Sequence, residues 1–218
     1  MRERPIIFSG PMVTSILRSE KTQTRRIVKP QPVVEPDGRM HWNGIGWTRH
    51  HERLTGPNGT MLMKCPFGQT GDRMYVKEAW RTGSGLDDHS PRQIAEQSLD
   101  AGWEEPWAPL RYEADGRERD ALWHDFGDPG RLRSPIHLPR WASRLTLEVT
   151  GVRVERLQDI SEGDAIAEGW EGGAAGNPGN GGPFDWFRGT WDSINAKRGH
   201  GWDTNPFVWV VTFKQVTP

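Results

Sequence analysis

Phe207-Val208-Trp209-Val210-Val211-Thr212-Phe213 is an almost unbroken apolar run built from β-branched and aromatic residues. Its length and composition suit a central strand buried on both faces rather than an amphipathic helix. Arg144 to Thr150 alternates instead, with Leu145, Leu147 and Val149 facing one way and Arg144, Thr146, Glu148 and Thr150 the other. Such period-two patterning predicts a strand with one face against the core. Gly151 breaks the phase, and Val152 and Val154 resume it on the opposite parity, which predicts a bulge or bend. Further strands are expected at Ile6-Ile7-Phe8, at Arg111-Tyr112-Glu113, and from Arg73 to Trp80 after the turn-rich stretch Cys65 to Asp72.

Helix signals are short and spaced between these strands. Ser9 is placed to cap a helix with Pro11 in its first turn and Met12, Val13, Ile16 and Leu17 on its apolar face. Ser161-Glu162-Gly163-Asp164 resembles a capping box opening a short helix through Glu168, with Gly169 as its stop. Phe184, Phe187, Trp191 and Ile194 recur at helical spacing and predict an aromatic core face. Residues 82–108 read as loop with one short helix, since Ile94, Ala95 and Leu99 make only a weak stripe. The fold class expected is therefore α+β, a small curled mixed sheet or barrel with flanking short helices. The regular strand–helix alternation of a doubly wound fold is missing. Residues 1–218 read as one domain, with insertions at about 33–64 (an irregular polar excursion) and 82–135, and a mobile glycine-rich loop at 171–183.

Composition narrows the setting. Apolar content is 34%, with 26 Gly and 17 Pro, which predicts long loops around one core. No run of 18 apolar residues exists and no long apolar segment follows Met1, so neither a membrane span nor a secretory leader is expected. Cys65 is the single cysteine, which excludes an internal disulfide and a multi-cysteine zinc site and fits a cytoplasmic setting. Net charge is −1, which argues against broad coating of nucleic acid. Two basic islands stand out nonetheless. Residues 1–31 hold seven cations against Glu3 and Glu20, and residues 131–144 hold Arg131, Arg133, Arg140 and Arg144 with no acid. A confined anionic ligand suits such islands better than a polyanion track, although ordinary solvated surface is an equal reading.

Lys21-Thr22-Gln23-Thr24-Arg25-Arg26 concentrates groups suited to proton transfer and anion binding. A lysine partly desolvated at a helix exit becomes a base toward a neighbouring hydroxyl. Thr24 then either attacks an acyl carbon or orients a water that does. Positions three apart on a straight strand face opposite ways, so the pair converges only across a bend. The plainer alternative is a solvated helix-end lysine followed by strand-forming threonines. Glu168, in the last turn of its helix, meets the negative end of the dipole, which disfavours its charge by ~0.3–1 kcal/mol. A surface glutamate beside a flexible loop is the plainer reading there. The chain carries 12 Trp against 2 Tyr, and Trp80 and Trp141 lie among charged neighbours, where stacking contributes ~1–3 kcal/mol per base. Most of the tryptophans, Trp191 and Trp209 included, are expected to be core or loop anchors. No phosphate loop, G-x-G-x-x-G, H-E-x-x-H or G-x-S-x-G is present, and the histidines show no ligand spacing, so neither a metal nor another cofactor is expected.

Five features in order resemble the ASCH domain of the PUA-like superfamily: a short strand and helix, Lys21-Thr22-Gln23-Thr24-x-Arg26, Gly71-Asp72 before a strand, Leu157-Gln158-Asp159-Ile160-Ser161 with Ala165-x-x-Glu168-Gly169, and a hydrophobic final strand. The likeness covers about residues 5–214 and is nearest to the longer phage and prophage members. It implies a PUA-like mixed β-barrel whose cleft binds RNA or a nucleobase derivative. It is also similar in motif to the bacterial N4-acetylcytidine amidohydrolases, which implies metal-free catalysis by Lys21 as base, Thr24 as nucleophile or water-positioner, and Glu168 as proton donor. The partner implied is a modified nucleoside or single-stranded nucleic acid. Candidate substrate-binding residues are Arg25, Arg26, Trp80, Arg140, Trp141 and Arg144. The chain departs from that branch in its length, its Trp-rich insertions and its glycine loop. A non-catalytic module reading a modified or unpaired base is the alternative, and RNA cleavage ranks below both because no histidine is placed to serve it.

Overall fold

The chain opens with strand β1 (Glu3–Ile7), helix α1 (Gly10–Leu17) and strand β2 (Gln23–Ile27). Short strands follow: β3 (Val33–Val34), β4 (Met40–Trp42), β5 (Ile45–Trp47), β6 (Arg53–Gly56), β7 (Gly59–Leu62), β8 (Arg73–Lys77) and β9 (Trp80–Arg81). Then come α2 (Pro91–Asp100), β10 (Arg111–Tyr112), β11 (Thr146–Arg156), α3 (Glu162–Ala167), α4 (Pro183–Asn195) and β12 (Phe207–Val216). The computed structural model describes all residues except 35, 37–39, 43–44, 48–52, 57–58, 63, 117–126, 171, 173–180 and 217–218. For residues 40, 45–47, 53–56 and 59–62 it describes the backbone alone.

The architecture is mixed α+β, with a five-stranded sheet in the order β1-β8-β11-β12-β2. β1 and β8 are parallel, whereas β12 and β2 are antiparallel. Among the described residues no pairing closes the sheet into a barrel. Contacts divide the chain into two compact units. One comprises residues 19–72 and 148–214 with Met1, and the other residues 2–18, 73–147 and 215–218.

In the first unit, β12 meets the sequence expectation: Phe207 to Val211 are all buried. One face of that strand, with Val208 and Val210, packs on Leu157, Ile160, Ala165, Phe187, Trp191 and Trp202. Helix α4 therefore delivers Phe187 and Trp191 to the core, but Phe184 and Ile194 stay substantially exposed, so its apolar stripe is narrower than the spacing suggests. Helix α3 starts as expected. Ser161 Oγ accepts from Asp164 N and Asp164 Oδ2 accepts from Ser161 N, the reciprocal cap, and Gly169 at φ 101° provides the stop. β11 runs as one continuous strand through Gly151. The glycine answers a close approach, because a Cβ there would stand 2.7 Å from Thr212 Oγ1.

Residues 33–64, expected to be irregular, carry a second five-stranded sheet in the order β3-β4-β5-β6-β7, antiparallel throughout. Its strands hold two to four residues each, too few for hydrophobic alternation to register. The pairing Trp42↔Ile45 spans the sequence Asn43-Gly44, the dipeptide two-residue hairpins favour, and that was the legible signal.

The second unit pairs β1 with β8 and buries Ile6, Met74 and Val76. Helix α1 buries Val13 and Ile16 while Leu17 remains exposed, and Ser9 caps it by backbone conformation without a side-chain hydrogen bond. Helix α2 is longer than its weak stripe suggests because Ser90 and Gln93 form a complete capping box. β9 and β10 pair as a two-stranded sheet beside a small core of Trp80, Leu138 and Ala142. No described helix is long and apolar enough to cross a membrane. Of the expected loop at 171–183, residues 171 and 173–180 lie outside the described residues and Pro183 already belongs to α4.

Candidate functional site

Strand β2 alternates, and its two faces have different tasks. Gln23, Arg25 and Ile27 project toward α3 and α4: Gln23 Nε2 donates to Asp164 Oδ1 at 3.0 Å, Arg25 stands over the Phe187 ring at 5.7 Å, and Ile27 packs on the helical cluster. Thr24 and Arg26 take the other face, opposite Val211 and Trp209 in β12, where Arg26 lies over Phe67 at 5.9 Å. Lys21 precedes the strand, where Thr22 N donates to Ala167 O and ties the segment to the end of α3. That tie places the Lys21 amine at the α3 C-terminus.

The contact that follows joins two of the sequence candidates. Lys21, 2% exposed, donates from Nζ to Glu168 Oε2 at 2.8 Å and to the Glu168 carbonyl at 2.7 Å. The ammonium thus meets both the side chain and the free carbonyl of a helix C-terminus, where a cation is favoured. Arg25 Nη1 reaches the other carboxylate oxygen, Glu168 Oε1, at 3.2 Å. Arg25 Nη2 holds Glu155 Oε1 at 2.5 Å and Asp164 Oδ2 at 3.1 Å. Arg153 closes the set, donating to Glu155 Oε2 at 2.8 Å and to Asp164 Oδ1 at 3.0 Å. Three cations and three carboxylates therefore interlock, with Arg26 as a further positive charge felt by Glu168.

Burial sets the electrostatics. Desolvation pushes the Lys21 amine below its usual range, and Arg26 and Arg25 push the same way, while Glu168 opposes them. Burial also lowers Arg26, with Glu168 countering. Burial works against the Asp164 charge, but the Gln23 hydrogen bond, the Arg25 charge and the Ser161 bonds outweigh it and hold this carboxyl well below the usual carboxylate range. Because the folded state depresses the acidity constant of Asp164, its stabilisation is fully present above the unfolded value of ~3.9 and is lost as pH falls through the folded one. Asp164→Asn is expected to be less stable than the parent at neutral pH, with the gap narrowing below about pH 4. Urea unfolding at a series of pH values checks this, and a gap independent of pH refutes it.

Thr24 is buried in β2 at 3% exposure, and its hydroxyl makes no hydrogen bond among the described residues. The structure thus joins Lys21, Arg25 and Glu168 directly and leaves the Thr24 hydroxyl outside that contact set. Sequence reading missed Glu155, Asp164 and Arg153. Asp164 was legible only as a cap, yet one carboxylate serves both the cap and Arg25. Glu155 lies beyond Gly151 on a strand whose phase was read as broken.

The other four candidates belong to the second unit. Trp80 is wholly buried with Arg133 over its ring at 5.3 Å, so no face is open for a base, a correction to the stacking expectation. Trp141 is half-buried against the Trp80 cluster. Arg140 forks onto Glu3 at 2.7 and 2.9 Å and lies over Tyr75. Arg144 forks onto Glu78 at 2.9 and 3.0 Å, reaches Asp115 at 2.7 Å and stacks on Tyr112 at 4.1 Å. Both arginines, acid-free in the local sequence, are compensated by carboxylates from distant segments. Burial raises Glu78 despite the Arg144 contact, and burial likewise pushes the Tyr112 phenol up to about 12.

Among the described residues no group of three or more His, Cys, Asp or Glu is placed to hold a metal ion. Comparison with protein-family models, with curated proteins and with solved structures finds no match.

Proposed function

We propose that this chain is an ASCH-type protein with a PUA-like sheet, acting as an amidohydrolase that removes the acyl group from an N-acylated cytosine derivative such as N4-acetylcytidine. The observation that carries the reading is the buried 2.8 Å contact between Lys21 and Glu168, a base and an acid brought together from opposite ends of the sequence. Desolvation favours the neutral amine that a base requires. In the proposed reaction the Thr24 hydroxyl, or a water it holds, attacks the acyl carbon and loses its proton to Lys21 Nζ. The C–N bond then breaks, and the proton passes across the Lys21–Glu168 contact to the exocyclic nitrogen, which leaves as the amine. When Thr24 itself attacks, a water then hydrolyses the acyl-Thr24 ester and restores the hydroxyl, so on either route one water is consumed and a carboxylic acid is released. Arg25 acts as a positioning residue, since it fixes the second oxygen of Glu168 while Glu155 and Asp164 fix Arg25 in turn.

A second reading, a module that binds a modified or unpaired base without turnover, is favoured by one observation. The Lys21 ammonium is already engaged with Glu168 as an internal ion pair, a purely structural use of the same groups. Arg26, over Phe67 on the other face of β2, is the ligand contact this reading assigns. Deacetylation of N4-acetylcytidine, followed by mass spectrometry, separates the two. Lys21→Ala, Thr24→Ala and Glu168→Ala are each expected to reduce turnover by about 10²–10⁴-fold. Turnover equal to the parent in all three ends the catalytic reading, whereas base binding without product that collapses on Arg26→Ala favours the module.

A further inference from the structure

In the second unit, residues 88–91, Gln93, residues 131–134 and His137 line an open cleft of about 540 Å³. Its wall carries Arg131, Arg133, His89 and His137, and its one acid is Asp88. With both histidines neutral the wall is already net positive. The volume lies in the range of small-molecule sites, large enough for more than an inorganic ion.

Arg133 distinguishes this cleft from a basic surface patch. It is 8% exposed, and its guanidinium donates only to neutral groups, the carbonyls of His89 at 2.9 Å and Leu86 at 2.6 Å, while lying over Trp80. Among the described residues neither Arg133 nor Arg131 has a carboxylate at ion-pair distance. This contrasts with Arg140 and Arg144, each forked onto an acid. Asp87 acts on Arg133 electrostatically, but both of its oxygens accept from the Arg131 backbone N–H, at 2.9 and 3.0 Å. Burial and the like charge of Arg131 both hold Arg133 below its usual range. Two like-charged guanidiniums are thus kept near one another with no carboxylate paired to either among the described residues, an arrangement that a bound anion relieves. The N-terminus of α2 is not the source of the attraction, since Ser90 and Gln93 already cap it.

We propose that this cleft binds the phosphate of a phosphomonoester, with Arg133 as fixed positive charge in the wall, Arg131 and His137 as exposed donors, and Leu132 and Pro91 as apolar contacts for the organic part. The shared chemistry is a terminal phosphate. Its source is a free mononucleotide-sized metabolite or the 5′ end of a nucleic acid. The inference stands apart from the deacylation reading, because none of its residues takes part in that chemistry.

Isothermal titration calorimetry with inorganic phosphate, a nucleoside 5′-monophosphate, the unphosphorylated nucleoside and a 5′-phosphorylated tetranucleotide tests it. Inorganic phosphate and both phosphorylated probes are expected to compete for one site, while the nucleoside gives no heat. Tighter binding of the monophosphate assigns a free phosphomonoester, and tighter binding of the tetranucleotide assigns a nucleic-acid end. Arg131→Gln is expected to weaken binding at least about tenfold, the loss of one charge-assisted donor. Arg131 is exposed and anchors to Asp87 through its backbone, so the variant is expected to keep its fold, checked by an unchanged unfolding midpoint. Lys21→Ala is expected to bind phosphate like the parent. Absence of saturable binding by every phosphate probe at millimolar concentration overturns the proposal. So does parental affinity in both Arg131→Gln and the Arg131→Gln/His137→Gln double variant.

Discussion

Lys21→Met is expected to lower the unfolding free energy by about 3–5 kcal/mol, because it leaves the buried Glu168 carboxylate with Arg25 as its one remaining ion-pair partner among the described residues. Glu168→Leu is expected to cost less. Its widowed lysine, already below the usual range through desolvation, can shed its proton, and Arg25 keeps Glu155 and Asp164. The double variant Lys21→Met/Glu168→Leu removes both charges and is expected to be more stable than Lys21→Met, with a coupling on the order of 3 kcal/mol. Equilibrium urea unfolding of the four proteins, followed by tryptophan fluorescence, provides the cycle. Strictly additive losses would mean that the two groups do not interact. The proposed deacylation is expected to fall by about 10²–10⁴-fold in all three variants, including the one that regains stability, so that loss could not be ascribed to unfolding.

Arg144→Met is expected to have an effect of similar size by a different route. Glu78 is 1% exposed, and Arg144 is its forked partner. Without the guanidinium, the carboxylate faces burial and the repulsion of Asp115 uncompensated. The expected loss is about 3–5 kcal/mol at neutral pH. Its pH dependence has a definite sign. A buried acid whose folded-state affinity for a proton exceeds the unfolded one destabilises the fold as pH rises above the unfolded value of ~4.3. The deficit of Arg144→Met is therefore expected to shrink as pH falls toward that value, opposite to the acid loss expected from Asp164 in the parent. Arg144→Lys is expected to recover only part of the stability, since an ammonium cannot fork onto Glu78 and reach Asp115 together. An Arg144→Met deficit that is flat between acid and neutral pH would sink the account.

These effects explain what was readable along the chain. Features set within a few residues were legible. The run Phe207–Val211 is buried throughout, the Ser161–Asp164 box caps α3, and Gly169 ends it. Features lacking a local pattern were not. The strands from Val33 to Leu62 are too short to alternate, and α2 depends on its cap more than on its stripe. The close approach of Thr212 to Gly151 was not legible either, since Thr212 lies far away in sequence. Within the candidate site, Lys21 and Glu168 were identifiable from residue type and helix position. Glu155 and Arg153 were not, because nothing along β11 indicates which cation it will meet.

By itself the sequence determined helices α1, α3 and α4, the core strand β12, and the residue types that could exchange protons, because these depend on periodicity and capping over one or two turns. Only the tertiary structure decided which charges are free. Arg140 and Arg144 read as an uncompensated basic island, yet their carboxylates arrive from Glu3 and Glu78, 137 and 66 positions away. The guanidiniums of Arg131 and Arg133, from the same island, pair with no carboxylate among the described residues, although Asp87 accepts from the Arg131 backbone. Lys21 finds Glu168 across 147 positions. An ion pair depends on distance in space and on the dielectric around it, and neither quantity is written in the spacing of residues along a chain.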